Sequence, residues 1–230
     1  MQNELEEANY VLISIPPVNG NDLVIKNFAQ NLKKIKNCKW VTYLSATSVY
    51  GDHNGEWVNE QSTTKPTSEN GVDRLNAEKS WISISKEYDL PLQIFRLAGI
   101  YSHKYNILKR LKKNKVQIVD KKNHFFSRVH VEDIANVLIE SLKNFKSRET
   151  YNICDDRPAS QAEVAAYGAK LLSLEKPKLI NLTDIDSEML KNFYKDSKKV
   201  DNKKMKTFFK YELKYPSYIE GLNEIFNSSL

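Results

Sequence analysis

Trp40-Val-Thr-Tyr-Leu-Ser-Ala-Thr-Ser-Val-Tyr-Gly51 is the stretch on which the reading of this chain turns. Its first half, Trp40–Ser45, has the β-branched and aromatic content of a strand, and its second half is a hydroxyl-rich exit closed by a Tyr-Gly turn. Upstream, Asn9–Ile15 (NYVLISI) is apolar after its first residue, which predicts a strand buried on both faces. Pro16-Pro17 and Asn19-Gly20 then signal a loop, and Asn21 or Asp22 can cap a helix that carries Val24, Phe28, Leu32 and Ile35 on one face. Downstream, a polar loop runs through Gly51, Gly55 and Pro66 into a helix over about 68–88, followed by a third strand, Leu92–Leu97. Strands separated by crossovers of more than a dozen residues call for parallel pairing with helices packed on the sheet. The fold class is therefore α/β, a parallel sheet with helices on both faces.

Beyond Gly99 the pattern loosens. A helix opens at His130-Val131-Glu132-Asp133 with Ile134, Val137, Leu138 and Leu142 on one face, and a strand follows at about Thr150–Ile153. Ser160-x-x-Glu163 and Ser217-x-x-Glu220 are capping-box patterns for two further helices. Residues 1–100 read as the sheet-forming region and 101–230 as a smaller α+β lobe interleaved with it.

The 230 residues carry 35 Lys+Arg against 29 Asp+Glu, a net charge of +6, with 40% hydrophobic content, enough for a buried core. The lysines are spread along the chain and no RNA-binding aromatic motif accompanies them, so they read as solvated helix faces and nucleic acid is not an expected partner. No apolar run approaches the roughly 20 residues of a membrane-spanning helix. Cys38 and Cys154 form no Cys-x-x-Cys pair, which speaks against a disulfide scaffold or a zinc finger and suits a reducing, cytoplasmic setting. His53, His103 and His124 lack metal-ligand spacing and read as exposed loop residues, so no metal site is expected. Cys154 reads as a buried structural thiol.

Open parallel sheets bind ligands outside the carboxyl ends of their strands. Ser14–Pro17, Ser45–Gly51 and Arg96–Tyr101 lie at such ends, and the second reads equally as a polar strand exit or as a binding site.

Leu44-Ser-Ala-Thr-Ser-Val-Tyr-Gly-Asp52, Arg74-Leu-Asn-Ala-Glu78, Phe95-Arg-Leu-Ala-Gly-Ile-Tyr101 and Phe126-Ser-Arg-Val-His-Val-Glu-Asp-Ile-Ala135, in this order and spacing, resemble the extended short-chain dehydrogenase/reductase superfamily, the NAD-dependent epimerase/dehydratase family. The resemblance spans nearly the whole chain and implies a Rossmann-like sheet, NAD or NADP as cofactor, and a small carbonyl or sugar-nucleotide substrate. It places Ser14, Ile15, Pro16, Pro17, Ser45, Leu97 and Ala98 at the cofactor. It places Thr47, Asn70 and Arg74 at the catalytic positions, and Tyr50, Arg128 and His130 toward the substrate. For Arg128 and His130 structural and functional roles stand evenly.

Two departures from the family pattern stand out. Family members open with a strand, a glycine-rich turn and a helix whose amides hold the pyrophosphate. Here the glycines are at 20, 51, 55, 71, 99, 168 and 221, and none has that spacing. Asn9–Ile15 resembles the family's fourth strand, so the expectation is that the natural polypeptide begins further upstream. Left uncovered, that edge is expected to pair in a homodimer. The second departure is catalytic: where family enzymes carry Tyr-x-x-x-Lys, this chain has Asn70 and Arg74. An amide cannot exchange a proton near neutral pH, and arginine is unsuited to relaying one. Two readings follow: an oxidoreductase or epimerase with altered catalytic positions, or a non-catalytic nucleotide- or partner-binding protein of the same fold.

Overall fold

The computed structural model describes residues 2–113, 116–119, 121–185, 191 and 194–228. Ten strands occur among them: β1 Tyr10–Ile13, β2 Trp40–Ala46, β3 Trp57–Val58, β4 Leu92–Leu97, β5 Gly99–Tyr101, β6 Ile118–Val119, β7 Arg128–His130, β8 Glu149–Ile153, β9 Leu179–Ile180 and β10 Lys199–Val200. The helices are α1 Gln2–Glu6, α2 Leu23–Leu32, α3 Glu69–Glu87, α4 Ile107–Lys112, α5 Val131–Lys143, α6 Gln161–Leu171, α7 Lys203–Phe209 and α8 Tyr218–Asn227. A short 3-10 turn, Thr47–Tyr50, follows β2.

The main sheet is four-stranded and parallel in the order β1-β2-β4-β8, with Tyr10 beside Trp40, Val41 beside Leu92 and Gln93 beside Glu149. β8 comes from the second half of the chain, which thus completes the sheet begun by the first. One face packs Ile13, Val41, Tyr43, Leu92 and Ile94 against Leu32 of α2 and Ala77 and Trp81 of α3. The other packs Phe95, Leu97, Tyr151 and Ile153 under Ile134 and Val137 of α5 and Met205 and Phe209 of α7. Alternation of side chains across the pleat divides β4 between the two faces, so all six of its residues are buried. A third cluster joins α4, α6 and α8 through Leu108, Leu111, Val164, Ala165, Leu222 and Ile225.

The caps follow simple chemistry. Asp22 caps α2, accepting from the Val24 and Ile25 amides, and Ser68 caps α3 through the Gly71 amide. Ser160 caps α6 through the Glu163 amide, while the Glu163 carboxylate accepts from Arg157 and Tyr218, so only half of that capping box forms. Asp133 does not finish its own helix start; it accepts from the Tyr211 hydroxyl and the Lys214 and Tyr215 amides, tying the C-terminal segment to α5.

Three sequence expectations need correction. β1 is not buried on both faces: Tyr10 and Leu12 are 57% and 47% exposed. They lie on the α5 face of the sheet, but α5 sits over β2, where the Trp40 indole N–H donates to Ser141 Oγ at 3.1 Å. Second, Leu142 does not join the buried face of α5. Asn136 reaches Tyr211 beside α7, on the β8 side, and Leu142 turns to the other flank, 47% exposed. β1 is the edge strand of the main sheet among the described residues. Third, His124 is buried, stacked on Tyr194 with ring centroids 5.1 Å apart.

Candidate functional site

A cleft of about 1070 Å³ opens over the carboxyl ends of β2 and β4. Its floor and near wall come from the 3-10 turn and the first turns of α3: Ala46, Thr47, Ser48, Ser68, Glu69, Asn70 and Arg74. These meet because Gly71 brings α3 hard against the turn; a Cβ there would stand 2.8 Å from the Ser48 carbonyl oxygen and 2.9 Å from Pro66 Cβ. Asn70 and Arg74 are one helical turn apart and share a face. Arg74 Nη1 donates to the Leu44 carbonyl at 2.5 Å, which pins the guanidinium to the end of β2. The far wall comes from residues beyond β5, with Arg110, Arg128, Gln161, Tyr218, Asp196 and Lys198.

Beneath the floor lies a buried polar network. Arg96 donates through Nε and Nη2 to both Glu78 oxygens at 3.0 and 2.7 Å, and Ser45 Oγ donates to the same carboxylate at 2.6 Å. The guanidinium lies 4.9 Å from the Tyr50 ring centroid, and the Tyr50 hydroxyl donates to Asn152 Oδ1 at 2.7 Å. Burial works against the Arg96 charge, but Glu78 outweighs it and raises the guanidinium pKa. Burial also pushes the Tyr50 phenol up to about 12, so it keeps its proton at neutral pH.

This geometry sorts the residues singled out in the sequence. Thr47, Asn70, Arg74, Arg128, Pro16 and Pro17 line the cleft together. Ser45, Leu97 and Ala98 are buried beneath it, because the pleat directs Ser45 to Glu78 and Leu97 into the core. The residues after β4 that line the cleft are Gly99, Ile100 and Tyr101. Ser14 and Ile15 are exposed outside it. Tyr50 is fully buried, since the 3-10 turn rotates it under the floor rather than into the opening. His130 is fully buried too; its Nδ1 accepts the Glu132 amide as the cap of α5, and its ring packs 4.2 Å from Tyr215.

Sequence reasoning missed Lys198 and Arg110. Lys198 Nζ donates to the Gly51 carbonyl at 2.8 Å and lies 3.5 Å from Asp196 Oδ2, and burial lowers its pKa. It sits in a lysine-rich stretch that reads as solvated surface; only the pairing of β10 with β3 in parallel reveals its inward position.

Hydroxyls and an arginine stand outside the carboxyl ends of the strands, where open parallel sheets bind ligands. No phosphate cradle accompanies them among the described residues. The first amides of α2 are already taken by Asp22, whose other oxygen accepts from the Trp81 indole at 2.7 Å, and a carboxylate there repels an anion. Among the described residues no group of three or more His, Cys, Asp or Glu could hold a metal, and no helix is long and apolar enough to cross a membrane.

The sequence profile of the NAD dependent epimerase/dehydratase family matches residues 24–154, and the chain belongs to that family. No curated protein matches the chain. Among solved structures, a functionally unknown conserved protein from Silicibacter pomeroyi DSS is 37% identical with a TM-score of 0.91, covering 96% of this chain and 78% of its own. A UDP-N-acetylglucosamine 4-epimerase from Bacillus cereus is similar at 19% identity and a TM-score of 0.77, with 99% and 81% covered. A UDP-glucose 4-epimerase from Thermotoga maritima, solved with UDP-glucose, is similar at 16% identity and a TM-score of 0.77, with 99% and 82% covered. The last two share the fold. The family's Rossmann-type α/β architecture is that of the parallel sheet described above.

Proposed function

We propose that this chain forms the substrate side and the nicotinamide side of an NAD(P)-dependent, epimerase-like site, and that its substrate is a small carbonyl compound or sugar bearing phosphate. The observation that carries the reading is the charge of the cleft. Arg74, Arg110, Arg128 and Lys198 face it against Glu69 and Asp196. Solved neighbours of the same fold include epimerases in complex with NAD and with UDP-sugars, which supports a phosphorylated ligand in such a cleft. Arg128 is the strongest anchor. Nη1 donates to the Phe126 and Ala159 carbonyls at 3.1 and 2.9 Å, and Nη2 to Gln161 Oε1 at 3.0 Å. These bonds fix the plane of the guanidinium and leave Nε and one Nη2 hydrogen for a phosphate.

Hydride transfer is the chemistry NAD(P) would supply here, and the protein's own residues bind and orient the substrate. Thr47 offers a hydroxyl at the floor, Arg74 a fixed positive charge, and Asn70 an amide that orients a ligand oxygen without exchanging a proton. A second reading, a non-catalytic nucleotide-binding protein, draws on the absence of a phenol at position 70.

Titration with UDP-glucose, followed by intrinsic fluorescence, tests the anionic cleft. Arg128→Met is expected to weaken binding roughly tenfold to a hundredfold, the range for a charge-assisted hydrogen bond. An unchanged affinity in that variant contradicts the assignment. Turnover of the sugar nucleotide with added NAD separates the two readings, since binding without turnover favours the second.

A further inference from the structure

Asp155 is a buried carboxyl group that the proposed reaction does not use. It follows β8, its amide donates to the Arg128 carbonyl at 2.6 Å, and it is 1% exposed. Oδ1 accepts from the Arg157 amide at 3.3 Å, while Oδ2 is buried without a hydrogen-bond partner. The groups facing it are Arg128 from β7, Tyr101 from β5, and its chain neighbours Cys154 and Asp156. Tyr218, Tyr101 and Glu163 also act on Arg128. Asp156 is itself neutralised by Lys206 at 2.9 and 3.0 Å. Arg128 is therefore the one cation acting on the Asp155 carboxylate among these groups, and it makes no direct ion pair with it.

We propose that Asp155 is a positioning residue that couples anion binding at Arg128 to uptake of a proton. This rests on the reading of the cleft as an anion site. When a phosphate takes the Arg128 charge, a carboxylate at Asp155 loses its counter-charge in a place that water does not reach. Protonation removes the conflict: the proton comes from solvent and ends on Oδ2, and no other bond is made or broken. Burial already pushes the Asp155 carboxyl up to about 8, so the change falls in an accessible pH range. The uptake grows as pH rises from 7 toward 9, because a larger fraction of the free protein then starts ionised.

Isothermal titration with UDP, whose phosphates are ionised at these pH values, tests this in buffers of different ionisation enthalpy at pH 7, 8 and 9. The wild-type chain is expected to take up a growing fraction of one proton per UDP, with affinity falling by up to tenfold between pH 8 and 9. Asp155→Asn is expected to bind UDP with no such uptake and with a flat profile. UDP binding by the wild type without buffer dependence overturns the proposal while leaving the anion cleft intact, as does equal uptake in Asp155→Asn. Absence of UDP binding to the wild type overturns both. Thermal melting gives a ligand-free check. A carboxyl whose pKa is raised on folding stabilises the protein at low pH, and that contribution is lost as pH rises through about 8. The wild type should therefore lose stability relative to Asp155→Asn across that range; parallel curves count against the proposal.

Discussion

Glu78→Gln is expected to lower the unfolding free energy by roughly 3–5 kcal/mol, the range for breaking a buried ion pair from one side. The substitution keeps the shape and removes the charge that compensates Arg96, which is 7% exposed and has one further nitrogen, Nη1, already without a partner. It also loosens Ser45 and, through the guanidinium, the Tyr50 ring, so the floor of the cleft shifts with the core. Urea unfolding measures it: a fall of roughly 3–5 kcal/mol is expected, and a loss below about 1 kcal/mol, the scale of an exposed pair, contradicts it.

Gly51→Ala has the next largest expected effect. Gly51 has φ of 68° and ψ of −150°, a region populated almost only by glycine, and a Cβ there overlaps the Lys65 carbonyl. Backbone strain of roughly 1–3 kcal/mol and overpacking of roughly 1–3 kcal/mol combine, because the clash is with main chain and cannot be relieved by a rotamer. The function follows the fold here. The Gly51 carbonyl is the anchor of Lys198, so displacing it moves a cleft cation as well. Denaturant midpoint and UDP-glucose affinity should both fall in this variant; a midpoint equal to that of wild type contradicts this expectation.

Much of the architecture was legible because central parallel strands declare themselves. Leu92–Leu97 is apolar and aromatic on both faces of the pleat, and its predicted bounds coincide with those of β4. β1 carries the same composition, yet its outer face is open. Apolar content reports what a strand is suited to pack against, whereas its neighbours are set by the rest of the chain. In the site, Thr47, Asn70 and Arg74 were legible because a turn after a strand and the helix behind it must face the same opening. Ser45, Tyr50, Leu97 and Ala98 were assigned to the same opening and lie beneath it. The pleat parity at the last strand residues and the twist of a 3-10 turn decide inside from outside, and neither is written in residue type. Lys198 and Asp155 come from segments distant in sequence, and only the tertiary pairing brings them beside Gly51 and Arg128.

The family's cofactor needs a phosphate cradle, and no described residue supplies one; the first amides of α2 are sealed by Asp22.

NADH fluorescence titration of the chain tests the cofactor site most directly. Weak but saturable binding is expected, since no described residue forms a phosphate cradle, and Thr47→Ala and Arg74→Ala are each expected to weaken it further. Tight NADH binding indifferent to both substitutions would contradict this account.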